Sequence, residues 1–350
     1  MNKFDIRYEI RRAGIQDKAK IMDFIKHQWK KTHILANDSS FFDYEFREEE
    51  DLNFIVAFEK QNDELAGIIG YIKASNNTEL LDVWGVMWKV ADSLNPMPFL
   101  GLELMKRMIS YTKCRAEIGV GANIHTSVPM LKMFLKFEVN KMDHFYRIAD
   151  LNDYKIADIN KKIFVAQSCA ANSYLQVIRN VGELETLFDF SQFKNMIPYK
   201  DLWYINKRFL NHPIYKYLIW GVKSGGTVKS ILIAREVEHN ERKALRIVDY
   251  IGEKDTFMGL YNEFAVMLND YEYIDCYCYG MNPKVMHAAG FIKRNDLDNN
   301  IIPNYFEPFV KENIDIWVNS NLDGCFYFKG DGDQDRPNIM NRLSDAEQGM

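Results

Sequence analysis

No run of 18 apolar residues interrupts this chain of 350 residues, and its first twenty, "MNKFDIRYEIRRAGIQDKAK", carry no apolar core of a leader peptide. Neither a spanning helix nor export is expected, so the chain reads as cytoplasmic with no membrane insertion. Cysteine is scarce, and Cys114, Cys169, Cys276, Cys278 and Cys325 lack metal-ligand spacing, since Cys276 and Cys278 fall on one face of a strand. They read as buried thiols of a reducing compartment. Positive charge is neither in excess nor clustered: 44 Lys and Arg stand against 49 Asp and Glu, a net charge of -5, which argues against a nucleic-acid partner. A calcium loop is missing too. Asp331, Asp333 and Asp335 alternate near the end of the chain, but Arg336 and Arg342 stand where an EF-hand loop needs a turn glycine and a bidentate glutamate. No metal is expected.

What is present is apolar bulk. A hydrophobic content of 47%, with 14% aromatic residues, fills a large core, and the length suggests two domains. In the first half "FDIRYEIRRA" alternates like a strand, and "IQDKAKIMDFIKHQWKKT" places Ile21, Met22, Phe24, Ile25 and Trp29 on one helical face. "NFIVAFEK" and "AGIIGYIKA" read as a hairpin, "ELLDVWGVMWKV" as a long strand, and "LGLELMKRMISYT" as the helix after a Pro-rich loop. "AEIGVGAN" reads as a buried strand, "SVPMLKMFLKF" as a short helix and "KMDHFYRIA" as the strand closing this half. The order is β-α-β-β-β-α-β-α-β.

The second half lays over the first, which points to internal duplication. "YLIWGVKS" and "SILIAREVE" repeat the hairpin, "KALRIVDYIG" the long strand, "FMGLYNEFAVMLND" the helix, "YIDCYCYG" the buried strand, "NPKVMHAAGF" the short helix and "GCFYFKGD" the closing strand. The overlay matches Asp82 to Asp249 and Phe137 to Phe291. The expected fold is α/β with mixed sheets in two tandem copies, residues 1–165 and 166–342, followed by a disordered tail over 343–350.

In the first copy a strand ending in "VMWKV" leads through a loop to a helix start at "PFLGLELM". Exposed backbone N–H groups there, beside Gly101, make either a pyrophosphate cradle or a plain connection with a packing glycine. This unit, the element order, and the later units "ANIHTSVPMLKMFLKF" and "GMNPKVMHAAGF" resemble the GNAT superfamily of CoA-dependent N-acyltransferases. With "DVWGVMWKV", "NHP", "RIVDYIG" and "GDGDQDRPN" the chain is further similar to acyltransferases acting on nucleotide-linked amino deoxysugars, such as dTDP-3-amino-3,6-dideoxyhexoses used for surface polysaccharide (O-antigen or capsule). The resemblance implies acyl-CoA as co-substrate and a nucleotide sugar as partner. It places CoA on the first copy, at Val86, Met87, Trp88, Lys89, Phe99, Leu100, Gly101, Leu102 and Asn123, and the sugar on the second. The superfamily's pyrophosphate motif survives only as Pro98-x-x-Gly101-x-Glu103, and its general-acid tyrosine falls near Lys132.

Acyl transfer to an amine needs a neutral nucleophile and an N–H donor aimed at the developing oxyanion. Three residues are candidates for the base. His125 follows the buried strand where such a cleft opens, or is an ordinary loop histidine; Asp82 and Asp249 lie on the long strands, as bases, as anchors for the amine, or in salt bridges. "YKDLWYINKRFLNHPIYKY" supplies Trp203, Tyr204, Lys207, Arg208 and His212, either for a nucleotide base and diphosphate or as an amphipathic helix. Arg336, Asp331 and Asp333 read as ligands of the nucleotide sugar or as parts of a Gly-rich turn. Transfer to an amino-acid or peptide amine, and a non-catalytic binding role, are the alternatives.

Overall fold

The structure, a computed structural model, describes residues 2–92, 95–169 and 172–338; the tail expected over 343–350 lies outside them. In chain order its main strands are β1 (Tyr8–Gly14), β2 (Asp51–Glu59), β3 (Leu65–Lys73), β4 (Asp82–Val90), β5 (Ala116–Val120), β6 (Glu138–Lys141), β7 (Asp143–Ile148), β8 (Tyr174–Ile178), β9 (Leu218–Ser224), β10 (Thr227–His239), β11 (Arg242–Gly252), β12 (Tyr273–Tyr279), β13 (Ile292–Lys293), β14 (Trp317–Ser320) and β15 (Tyr327–Phe328). They form two mixed sheets, as expected. The first runs β1-β2-β3-β4-β5-β14-β6 and the second β13-β7-β12-β11-β10-β9-β8, with β15 on β12.

The sheets do not divide where the chain halves do. β7, read above as closing the first half, leaves it and pairs antiparallel with β12, Cys276 opposite Phe145. In return β14 inserts between β5 and β6, with Asn319 opposite both Gly119 and Val139. Each half thus lends the other a strand, and "GCFYFKGD" is not the closing strand of a sheet. Its Tyr327 and Phe328 pair with only the last two residues of β12.

Sequence spacing explains the helices that cover the first sheet. In α1 (Lys18–Gln28) Ile21, Phe24 and Ile25 share a buried face, but Trp29, expected on that face, caps the helix end at 47% exposure. Helix α2 (Ser39–Phe46) buries Phe42 and Phe46 against Phe54. Helix α3 (Leu100–Thr112) buries Leu104, Met105 and Met108, and Gly67 of β3 makes room for Leu104, whose Cδ1 lies 3.0 Å from where a Cβ would stand. The largest apolar cluster joins Phe42, Trp84 and Val86 of the first half to Tyr204, Phe209 and Val248 of the second. The halves therefore share one core.

Candidate functional site

β4 and β5 run parallel and pair only at Asp82–Ala116, Val83–Glu117 and Trp84–Ile118, after which they part. Parting frees strand edges, and the gap becomes a notch. A bulge deepens it: Val86 pairs with Gly70 and Lys89 with Ile68, so Met87 and Trp88 share the single residue Ile69 opposite. Met87 takes a φ of 51° there, a left-handed conformation that costs a non-glycine residue about 1–3 kcal/mol and is found preferentially at functional sites. The resulting cleft, about 490 Å³, is of the size usual for small-molecule sites and is lined by Val86 to Lys89, by β5, and by Gly121 to Asn123.

Glu117 lies in the floor of this notch, fully buried. Two glycines make the space for it. A Cβ at Gly85 would collide with Glu117 Oε1, and a Cβ at Gly119 would collide with Asn319, whose Nδ2 donates to Glu117 Oε2 at 3.3 Å. Oε1 rests against the Gly85 backbone with no hydrogen-bond partner of normal geometry. Burial without a cation pushes the Glu117 carboxyl up to about 8.

The second sheet has the same opening and closes it. β11 and β12 pair only at Leu245–Ile274, Arg246–Asp275 and Ile247–Cys276, and again a bulge follows, at Val248. Residues 327–330 then enter the gap: Lys329 N–H donates to Tyr277 O at 3.1 Å and Gly330 N–H to Val248 O at 2.8 Å. Asp275 holds the register position of Glu117, but it accepts from Arg246 at 2.9 and 3.1 Å and from His144 at 2.9 Å. Although burial opposes ionisation, the Arg246 charge and the His144 contact hold Asp275 down at about 2.

Beyond the bulge of β4 the notch meets a second cavity of about 450 Å³ between the halves, and Trp29, Met87, Asp333 and Gln334 line both spaces. Its walls carry the aromatic residues Tyr215, Tyr305 and Phe306 together with His33, Arg235, Lys329 and Arg336. The His33 Nδ1 accepts the Leu35 N–H at 3.2 Å, which leaves Nε2 as the donor of a neutral ring. Burial, then the Arg336 and Lys30 charges, lower His33 to about 3, so it donates and does not serve as a base near neutrality.

The residues expected from sequence do not all come together. Val86, Met87, Trp88, Lys89 and Asn123 line the notch. Phe99, Leu100, Gly101 and Leu102 stand at the start of α3; there the Trp88 indole donates to Gly101 O at 2.9 Å, and the glycine gives this ring room. His125 is exposed on the loop after β5, its N–H held by Asn123 Oδ1 at 2.8 Å.

The two aspartates correct the overlay. Asp82 is the first residue of β4, whereas Asp249 lies beyond the bulge of β11, so the positions do not match. Asp82 has both oxygens engaged, by Arg115 at 2.5 and 3.0 Å and by the N–H groups of Ala116 and Tyr199 at 3.1 and 2.7 Å, and has no lone pair left for a substrate proton. The cation that Asp249 meets is Lys200, 2.6 Å from it and 2.6 Å from Asp331, all buried. Burial and the neighbouring Asp249 raise Asp331, and the two carboxylates together raise Lys200 against its own burial.

The aromatic and basic segment stands apart from the notch. Trp203, Tyr204, Lys207 and Arg208 line a small separate pocket with Tyr44 and Lys73, and Tyr204 stacks on Trp84 with centroids 5.2 Å apart. Arg208 is buried and donates to the carbonyls of Gly330 and Asp335 at 3.1 and 3.2 Å. His212 accepts two N–H groups at Nδ1, from Ile214 and Tyr215. Arg336 does not face the cavity as a free cation: Glu45 lies 2.9 Å and Asp333 3.1 Å from it. Glu117, His33, Lys329 and Asn319 were not expected. Glu117 alone carried a signal, an acid inside the apolar run "AEIGV".

Compared by sequence, the chain matches no protein-family profile and no curated protein. Compared by structure, it is similar to a GCN5-related N-acetyltransferase from Anabaena variabilis, with a TM-score of 0.54 and 10% identity over 89% of this chain and 72% of that one. It is similar also to a conserved protein from Enterococcus faecalis classed as a probable N-acyltransferase, with a TM-score of 0.52 and 9% identity over 89% and 71% of the two chains. At such identity the likeness is one of fold, which this chain with its two mixed sheets shares with these two proteins. No helix of the described residues is long and apolar enough to cross a membrane.

Proposed function

We propose that this chain transfers the acyl group of an acyl-CoA to the amino group of a nucleotide-linked amino deoxysugar, of the dTDP-3-amino-3,6-dideoxyhexose class used for surface polysaccharide. One observation carries the acyl-transfer part of this reading: the open notch of the first sheet runs past the Met87 bulge into a cavity walled by the other half. Two substrates entering from the two spaces meet at the bulge. The free edges of β4 and β5 suit the amide-bearing pantetheine arm, and the start of α3 suits its diphosphate. Glu103 in the first turn opposes that diphosphate, and its pairing with Arg107 at 2.8 Å offsets the repulsion. In this reading residues 1–165 carry the donor and residues 166–342 the acceptor, with β14 lent to the floor of the donor notch. The rings and cations of the second cavity, with the sequence resemblance, support a nucleotide sugar as acceptor.

The reaction needs a neutral amine, an oxyanion donor and a proton for the departing thiolate. A bulge leaves one backbone N–H outside the ladder, and that of the Met87 region serves the oxyanion. Glu117, protonated at neutrality, gives its proton to the thiolate as the C–S bond breaks, and regains one from the nitrogen as the amide forms. It takes the place of the tyrosine missing at Lys132. Thiol release from acyl-CoAs with a panel of amines tests the proposal: nucleotide amino sugars should be turned over in preference to amino acids and peptides. No turnover with any amine, despite tight CoA binding, sinks it.

A further inference from the structure

The wall of the second cavity contains a buried cation with no carboxylate against it. Lys329 is 3% exposed, and its Nζ contacts only Asn304, at Oδ1 (2.7 Å) and at the backbone O (3.3 Å). Among the described residues no carboxylate lies within ion-pair distance of it. The arginines in and behind that wall are answered within the protein. Arg235 pairs with Asp335 at 2.7 Å, Arg336 with Asp333, and Arg246, on the far side of Asn304, with Asp275. Glu307 accepts from the Tyr215 hydroxyl at 2.8 Å and from Asn338 N–H at 3.1 Å.

A second, independent feature sits beside the lysine. Asn304 is 1% exposed, yet its Nδ2 has no hydrogen-bond partner, although Oδ1 and the backbone O are both in use. An orphaned amide costs about 1–3 kcal/mol, and an uncompensated buried ammonium costs more. Two adjacent donors left open on a cavity wall share one remedy, an anion. Arg235, its Cζ 3.9 Å from the centre of the Tyr215 ring, borders the same wall.

We propose that Lys329 and Asn304 form the subsite for a phosphate oxygen of the acceptor, with Lys329 as its counter-charge and Asn304 Nδ2 as its hydrogen-bond donor. This rests on the reading of the acceptor as a nucleotide sugar and names the contact that selects it. Burial and then the Arg246 charge hold Lys329 well below its ordinary range, and a bound phosphate oxygen opposes both effects. The acceptor's diphosphate then anchors at this wall while its amine reaches toward Met87.

The test is calorimetric titration of the full chain with inorganic pyrophosphate, thymidine diphosphate and glutarate, on wild type, Lys329→Met and Asn304→Asp. Pyrophosphate and thymidine diphosphate should bind wild type and lose tenfold or more in affinity in both variants, while CoA binds all three proteins equally. Asn304→Asp supplies the missing carboxylate internally, so it keeps the fold even if Lys329→Met does not. Unchanged affinity in the variants, or glutarate binding as tightly as pyrophosphate, overturns the subsite. Lys329-dependent pyrophosphate binding without acylation of any amine leaves the subsite standing and removes the acyltransferase reading. Acylation of nucleotide amino sugars with an unchanged acceptor KM in Lys329→Met does the reverse.

Discussion

The two sheets open the same gap between parallel strands, pairing three residues and then bulging, but only one gap is left open. In the second sheet an arginine and a histidine answer the buried carboxylate, and the chain's own residues 327–330 fill the space. In the first sheet the carboxylate has no cation, its neighbour across the gap is a glycine, and the space continues to the other half. One fold thus shows the same position spent on stability and kept for chemistry. A buried acid with a full set of partners holds structure together, whereas one that lacks partners is costly to the fold and waits for something else.

The comparison is broken most directly by removing each acid. Asp275→Ala leaves Arg246 as an uncompensated buried cation, and denaturant unfolding should report a loss of about 3–5 kcal/mol. Glu117→Gln should instead leave stability at neutral pH unchanged or raised and lower kcat about 100-fold, with the KM for acyl-CoA unchanged. A Glu117→Gln enzyme with wild-type kcat would show that the proton moves through water alone.

The pH dependence of stability sharpens the same contrast, because the two acids are shifted in opposite directions. Glu117 is raised in the folded chain, so its folded form binds a proton that the unfolded form has released between pH ~4.5 and ~8. Across that window it subtracts up to about 1.4 kcal/mol per pH unit as pH rises, and Glu117→Gln should remove this slope. Asp275 is depressed, so its contribution is complete above pH ~4 and is lost as the pH falls toward about 2. Urea midpoints measured from pH 3 to 9 check both signs. The smallest effect is expected at Lys207, which lies in the separate pocket: Lys207→Ala should leave both KM values within twofold of wild type. A large rise in acceptor KM would restore its segment to the substrate site.

Much of this was legible in residue spacing. The helical face of Ile21, Phe24 and Ile25, the paired hairpins and the duplication all follow from local periodicity, which the structure keeps. The Met87 to Lys89 stretch was found because a strand followed by a loop and a helix start is a local pattern. The exchange of β7 and β14 was not legible: four residues, "WVNS", carry no sign of which sheet they join, since pairing partners are a tertiary property. For the same reason Asp82 and Asp249 looked equivalent. A match by sequence distance cannot see that a bulge and a three-residue register place one at a strand's start and the other past its kink. Arg208 and Arg336 looked like phosphate ligands because their partners, Gly330 O, Asp335 O and Glu45, are distant in the chain.

The exchanged strands also set a schedule for the growing chain. On the ribosome β5 and β6 emerge early, yet the strand that belongs between them, β14, comes only after nearly all of the second half has been made. Until then β5 presents an unpaired edge beside an exposed apolar face, the kind of surface that other chains pair with. β7 waits similarly for β12. The donor notch cannot take its final shape before Asn319 arrives, so a truncated product lacking the last strands has neither a closed sheet nor a floor beneath Glu117.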